Sequence, residues 1–527
     1  MTNREKYILA IDQATSGAKT ALVSTHGKII DWVLEEYPLY ALEGGGAEQD
    51  PAEWWTAITS TIKKLVDKNL VPVEDIVAIS NTSQWSCTMA VDEDGNHLMN
   101  AISWMDTRGA KQIKELHKSI FQVSGYSIPL ILKSINITGG GPTLSGKDPI
   151  AHILWLKEEK PEIYEKSYKL LEPQDWVNFK LTGEVRSSYY TMHLHWIMDI
   201  RKINEIHYAD SLIKRYKIDK NKLPDLGNST DILGTIKNEI ADELGLTKEV
   251  KVVLGAPDNG AACIGGGAIE DYNAILSMGT SDYIQCHVPY KKTDVGANMA
   301  SISSPIPGKY LLTNEQDNAG GALAYLKNNI IYHEDELLKK EEQPDVYKIF
   351  DKIVEKVNPG SNNLIFTPWL TGERAPVDDH ALRGGLFNLS LDTTREHIIR
   401  SVYEGVALNI RWLSIYVEKF IKRQLTTINA IGGAASSDIW CQIVADVLDR
   451  PINQVENPRQ ANALGAAFIA SVALGYMKWE EIPRHITISK TYKPNRNDKP
   501  IYDKLFKEYK NIYKMMRKIS KRLNVTH

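Results

Sequence analysis

Two short turns of small residues, Asp12-Gln13-Ala14-Thr15-Ser16-Gly17 and Ser277-Met278-Gly279-Thr280-Ser281, lie in opposite halves of the chain, each between apolar strand-like runs. Tyr7 to Ile11 and Lys19 to Ser24 flank the first, and Ala274 to Ser277 and Asp282 to Val288 flank the second. Each therefore reads as a hairpin with small residues at its tip. Backbone N–H groups and hydroxyls at such a tip can meet phosphate oxygens where a larger side chain would collide. Either turn alone is equally an ordinary tight hairpin. Together they read as two sides of a nucleotide clamp.

The segments around these turns alternate between strand and helix patterns. Trp54 to Lys68 reads as a helix opened by Asp50-Pro51, Ile76 to Ser80 as a strand, and Thr88 to Val91 as another before an Asp94-Gly95 turn. A second cycle runs from a strand at Val250 to Leu254 through the Ser277 turn. It continues with a strand at Leu364 to Phe366, a helix from Thr394 to about Lys419, a strand at Thr427 to Ile431 and a helix from Ser437 to Leu448. This is α/β patterning with the clamp elements once per half, which predicts two related domains, 1–254 and 255–527, around a cleft. From Ile501 to Leu523 a helical apolar stripe is backed by Lys and Arg, the pattern of a packed terminal helix with a solvated face.

A chain of 527 residues holds roughly two to four domains. With 43% apolar and 24% charged residues it matches a soluble globular protein, and a formal net charge of -4 gives no electrostatic reason for a nucleic-acid partner. Cys87, Cys263, Cys286 and Cys441 are widely separated and form no C-x-x-C pair, so reduced buried thiols are expected rather than zinc or disulfides. The start, MTNREKYILAID, lacks the apolar stretch of a signal peptide, and the longest apolar run, Ala463 to Met477, is too short to span a bilayer and suits a buried helix. No membrane partner and a cytoplasmic location are the expectations.

Gly141 to Asp148 nearly fits the phosphate loop G-x-x-x-x-G-K-[S/T], but Asp148 stands where the motif needs a hydroxyl for Mg²⁺, so a Gly-rich surface loop is expected. His193 and His195 would share one face of a strand, yet no third metal ligand is evident. Gly255-Ala256-Pro257-Asp258-Asn259-Gly260 is more informative. An Asp between a buried strand and a small-residue helix stands at a strand's carboxyl end, where open α/β folds place ligands. Such a carboxylate accepts a proton from a hydroxyl, holds a metal, or caps the helix.

Glu48-Gln49-Asp50-Pro51, Trp104 to Arg108, Gly255 to Ala262, Ser277 to Ser281, Pro368 to Pro376, Arg383 to Arg411, Gly432-Gly433-Ala434 and Ala463 to Ala467 together resemble blocks of the FGGY carbohydrate kinases, in family order over almost the whole chain. The xylulokinase branch is nearest. The resemblance implies two actin-like, ribonuclease-H-like ATPase domains flanking a catalytic cleft, with ATP, Mg²⁺ and a sugar as ligands. It implies that Asp258 is the general base, that Asp12 helps hold Mg²⁺, and that Thr15, Ser16, Gly279 and Thr280 surround the phosphates. Gly432, Gly433, Ala434 and Ser436 would line the adenosine pocket. Gln84, Trp85, Ser86, Asp175, Asp258 and Asn259 would meet the sugar, although Asp175 at a helix start is equally a cap. A homodimer is compatible with this family reading, and subunit number stays open.

The chain departs from the family pattern at two places. Ala14 replaces a usual Gly, which costs about 1 kcal/mol if the position needs positive φ and nothing otherwise. Ser83-Gln84-Trp85-Ser86-Cys87 replaces the Gln-Met-His-Gly of typical xylulokinases and the Arg-Glu pair of glycerol kinases. An indole beside a short hydroxyl argues against glycerol: the ring can stack on a sugar's C–H face while Gln84 bonds its hydroxyls. A pentulose such as D-xylulose leads, with another ketose, a polyol or gluconate behind it. A non-catalytic sugar or nucleotide sensor and an actin-like filament or chaperone ATPase are the readings from other classes.

Overall fold

A computed structural model describes residues 4–331 and 345–524. Its centre is a pair of mixed sheets with one plan. In the first, Tyr7–Ala14 (β1), Gly17–Ser24 (β2) and Ile29–Glu36 (β3) form an antiparallel meander. Ile76–Ser83 (β4) pairs parallel with β1, Lys251–Val253 (β6) parallel with β4, and Ile232–Thr235 (β5) antiparallel with β6. The spatial order is thus β3-β2-β1-β4-β6-β5.

The second sheet repeats this order. Ala274–Met278 (β7) and Asp282–Val288 (β8) form the hairpin. After Thr293–Asp294 (β9) and Met299–Ser303 (β10), Tyr310–Thr313 (β11) pairs antiparallel with β8. Ile428–Ile431 (β12) lies parallel to β7, Ile452–Val455 (β13) parallel to β12, and Ile488–Tyr492 (β14) antiparallel to β13. The sequence β11-β8-β7-β12-β13-β14 therefore matches the first sheet strand for strand, sense for sense.

Local chemistry accounts for the helices between the strands. Pro51–Asp67 (α1) starts at Asp50, whose carboxylate accepts from Ala52 N at 2.8 Å, with Pro51 in the first turn. Such a cap is worth about 1 kcal/mol. Pro173–Thr182 (α2) also opens on proline and ends at Gly183 in the left-handed region. Asp258–Gly265 (α3) follows β6. Arg395–Ile421 (α4) begins with Thr394 and His397 capping each other's backbone, and it buries an Arg400–Glu404 pair at 2.7 Å one turn apart. Asp438–Leu448 (α5) is capped by Ser437.

Ala461–Ala473 (α6) follows β13 as α3 follows β6. Although α6 belongs to the second half of the chain, its Leu464 and Phe468 pack with Ile8, Ala10 and Val23 of the first sheet. Lys499–Asn524 (α7) buries Tyr502, Leu505, Phe506, Tyr509 and Ile512 and lays Tyr509 5.1 Å from the Trp369 ring. Each such side chain contributes about 1.5–3 kcal/mol, which makes the expected stripe a packing face.

All four cysteines are free and buried. Among the described residues no helix is long and apolar enough to cross a membrane.

Candidate active site

The tips of both hairpins follow from pairing that runs to their ends. Ala14 pairs with Gly17 across β1–β2, leaving Thr15 and Ser16 as the turn. Met278 pairs with Asp282 across β7–β8, leaving Gly279, Thr280 and Ser281. Ala14 is not among the residues with positive φ, so its methyl carries no backbone strain. Gly17 is needed for closeness instead, since an added Cβ would lie 2.5 Å from Glu35 O. Ser16 and Thr280 are exposed. The second tip is held from behind: Ala319 N and Gly321 N donate to Thr280 O at 2.8 and 3.0 Å, and Gly320 N to Gly279 O at 2.9 Å.

Asp258 opens α3, and its Oδ1 accepts from Asn259 N at 2.7 Å. Burial, aided by the nearby carboxylates of Asp12 and Glu315 and opposed by that N–H, pushes its carboxyl up to about 7. Asp12 belongs to the first sheet, whereas Glu315 follows β11 of the second. Asp258 is half-buried and feels the charge of acids from both halves. A carboxylate tuned near neutrality suits proton removal from an alcohol.

Asp12 is 5% exposed and lies opposite Lys19 in the β1–β2 register, with Lys19 Nζ 2.9 Å from its Oδ2. Asn462 Nδ2 stands 3.4 Å from its Oδ1. Lys19 also donates to Arg459 O at 3.0 Å, tying the first hairpin to the second half. Among the described residues no group of three or more His, Cys, Asp or Glu side chains is arranged as a metal cage. A single carboxylate fits Mg²⁺ nonetheless, because that ion keeps several waters and takes its other ligands from substrate phosphates.

Gly432 has φ +92, and an added Cβ would lie 2.6 Å from Met278 O, so the end of β12 abuts the second hairpin. A Cβ added at Gly433 would meet only Arg459 Nε, at 3.9 Å, and Ala434 and Ser436 continue as a 3₁₀ turn. These four residues form an open rim beside the tip of the second hairpin.

The expected sugar residues separate into two groups. Gln84 is 2% exposed and committed to the protein: its Oε1 accepts from Thr15 Oγ1 at 3.1 Å and its Nε2 donates to Gln49 Oε1 at 2.7 Å. One N–H is left for any ligand, so Gln84 first joins the Ser83–Cys87 loop to Thr15 of the first hairpin and to Gln49. Trp85 shows less ring than expected for stacking. It is 7% exposed, its indole N–H donates to Thr191 O at 2.7 Å, and its ring lies 4.5 Å from that of Tyr190. Ser86 is partly exposed at φ +69 and its Oγ donates to Lys147 O at 3.2 Å. Asn259 is half-buried beside Asp258.

Asp175 is a correction. It is 1% exposed, with neither carboxylate oxygen accepting a hydrogen bond, and burial pushes its carboxyl up to about 7. At that burial it presents no surface to a ligand. It is not the helix cap either, because that position belongs to Glu172.

His193 and His195 are corrected too, since they sit in a 3₁₀ turn, Thr191–His195, rather than on a strand. His193 Nδ1 bonds Ser303 Oγ at 2.9 Å, and burial pushes His195 down to about 3. The Gly141 to Asp148 loop holds no phosphate geometry: Asp148 is buried and accepts from Thr143 N and Trp196 Nε1, both at 2.7 Å.

Three functional candidates escaped the sequence reading. Lys19 lay inside a strand and carried no motif signal. Trp104 donates from its indole N–H to Thr15 Oγ1 at 3.0 Å, and its block near Asp106 and Arg108 was the available clue. Glu172 is buried with its Oε2 accepting from Cys87 N at 2.9 Å.

The N-terminal-domain model of the FGGY family of carbohydrate kinases matches residues 7–265, and the C-terminal-domain model matches residues 274–474. The chain belongs to this family. It is a carbohydrate kinase with two actin-like α/β domains. A xylulose kinase of Bacillus subtilis (strain 168) is 28% identical over 516 residues, covering 96% of this chain and 97% of that protein. The crystal structure of a gluconate kinase from Lactobacillus acidophilus matches with a TM-score of 0.83 at 29% identity, over 98% of this chain and 99% of that one. A ligand-bound xylulose kinase from the same organism also gives 0.83 at 29% identity, over 97% and 98%. The FGGY kinases use ATP as co-substrate, and the xylulokinase-like character follows from the full-length relatives.

Proposed function

We propose that the protein transfers the γ-phosphoryl group of ATP to a hydroxyl of a pentulose such as D-xylulose, with Asp258 as general base. We divide the chain at 254/255 into a sugar-binding half and a half that carries the base and the adenosine rim. The observation that carries the reading is Asp258 itself: a partly exposed carboxyl near neutral pKa, flanked by Asp12 of one half and Glu315 of the other.

In this reading the sugar lies against Trp85, Ser86 and Asn259, and the triphosphate runs between Thr15-Ser16 and Gly279-Thr280. Asp258 takes the proton of the attacking hydroxyl as the oxygen–phosphorus bond forms, and ADP leaves. Asp12 would hold Mg²⁺, which neutralises phosphate charge when bound. Phosphoryl transfer has a loose transition state, so positioning and charge neutralisation supply most of the acceleration, and the base contributes a further ~10²–10⁴-fold.

Full-length similarity to xylulose kinases supports a pentulose, and the gluconate kinase of equal structural likeness makes an aldonate the second reading. An ATP-consumption screen over ketoses, polyols and aldonates tests the choice. D-xylulose is expected to give the highest kcat/KM; a preference for D-gluconate selects the second reading, and ATP consumption indifferent to every sugar contradicts both.

A further inference from the structure

The N-cap residue of α2 and two side chains of the helix itself reach both parts of the reaction site from the interior. Glu172 at its N-cap accepts from Cys87 N at 2.9 Å, next to Ser86 of the sugar loop. Ser86 has φ +69, a conformation that costs a non-glycine residue about 1 kcal/mol and has to be held by its surroundings. Two and six residues later, Gln174 Nε2 and Asn178 Nδ2 both donate to Leu254 O, at 2.5 and 2.9 Å. Residues four apart on a helix share a face, which is why both amides reach one carbonyl.

Leu254 directly precedes the segment that aims the base. Its carbonyl receives two N–H groups, so both lone pairs are engaged and the peptide plane has no freedom to rotate. Gly255 follows at φ +75, where an added Cβ would strike Asn81 O, and Pro257 then fixes the entry into α3.

All three side chains are buried at 2% exposure or less, and each leaves an oxygen without a hydrogen-bond partner: Glu172 Oε1, which faces His195 Nδ1 at 3.9 Å, Gln174 Oε1 and Asn178 Oδ1. Half-satisfied polar groups are costlier in an interior than an apolar helix face of the same shape. Burial also raises the Glu172 carboxyl well above the usual carboxylate range. A helix face of this composition is explained by what it holds in place.

We infer that Glu172, Gln174 and Asn178 are positioning residues for phosphoryl transfer, with α2 fixing the spacing between the sugar loop at Ser86–Cys87 and the base at Asp258. The inference rests on the assignment of Asp258 as base. Glu172 acts on sugar binding through Cys87, and the two amides act on the chemical step through Leu254, so the kinetic effects separate.

The test uses full-length protein and D-xylulose or D-gluconate, whichever supports ATP consumption by the unaltered enzyme. Gln174→Met and Asn178→Leu keep side-chain volume and remove the donors. Each is expected to lower kcat by about tenfold or more while KM for sugar and for ATP stays within about threefold. Glu172→Met is expected to raise the sugar KM by about tenfold with kcat within about threefold, and Glu172→Gln, which keeps an acceptor for Cys87 N, to restore the sugar KM.

Unchanged kcat in a folded Gln174→Met or Asn178→Leu variant overturns the inference. So does a Glu172→Gln variant as impaired as Glu172→Met. The two amide variants duplicate one another, and the isosteric Glu172→Gln arm does not depend on either of them folding. Normal turnover in Asp258→Asn would instead remove the base assignment, whereas an inactive Asp258→Asn beside unaffected amide variants removes the bracing alone.

Discussion

Gly265 and Gly465 occupy matching places where α3 crosses α6: an added Cβ at Gly265 would strike the carbonyl oxygen of Ala461, and one at Gly465 that of Ala261. The two contacts are reciprocal: each helix carries an alanine and, four residues on, a glycine, and the alanine of one helix meets the glycine of the other. They repeat in the helices the symmetry that the strand orders show. This crossing also sets where Asp258, at the start of α3, stands relative to Asn462 and Asp12 near the start of α6.

Gly265→Ala or Gly465→Ala should therefore force the helices apart, with a loss of roughly 1–3 kcal/mol for overpacking. Urea unfolding of each variant measures this. Stability equal to that of the unaltered protein would show that the crossing has slack.

Asp12→Asn should raise the Mg²⁺ concentration needed for half-maximal activity by about tenfold or more, because Mg²⁺ strongly prefers an anionic oxygen. Titration of activity with Mg²⁺ at fixed ATP checks it. An unchanged Mg²⁺ requirement would move the ion away from Asp12.

The acid limb of activity should report Asp258. Its carboxyl lies at about 7 and the base works only when ionised, so kcat/KM for the sugar should rise with pH and level off above that value. A rate that is flat from about pH 5.5 to 8 contradicts a base of this pKa.

The same group carries a stability consequence of definite sign. Its folded pKa of about 7 exceeds that of an unfolded carboxylate, near about 3.9, so its contribution is intact at acid pH and is lost as pH rises through the folded value. Asp258→Asn, which removes that charge, should be more stable than the unaltered protein by on the order of 1–2 kcal/mol at pH 8. The difference should vanish toward pH 4. Thermal unfolding at both pH values decides, and equal stability at pH 8 would mean that the carboxylate is already well solvated.

The fold was legible because its signals are local. Small-residue tips between apolar runs marked both hairpins, Asp50-Pro51 and Thr394 marked helix starts, and Gly255 to Asp258 marked the strand-to-helix junction. The sites that escaped depend on long-range geometry. Asp175 was expected to meet the sugar because its position resembles a family sugar contact, but α2 turns that position inward. Glu172, three residues earlier, faces the Ser83–Cys87 loop through a contact 85 residues away. Gln84 was expected to serve the sugar, and only the fold shows Thr15 and Gln49 taking up its amide. His193 and His195 alternate as on a strand, yet the chain turns there.

The most direct measurement is turnover of Asp258→Asn with a saturating sugar substrate and Mg-ATP, alongside calorimetric binding of each ligand. Near-unchanged binding with kcat reduced by at least ~10² is the expected result, since an amide of the same shape cannot accept the proton. Turnover close to that of the unaltered enzyme would contradict the assignment of Asp258 as the base.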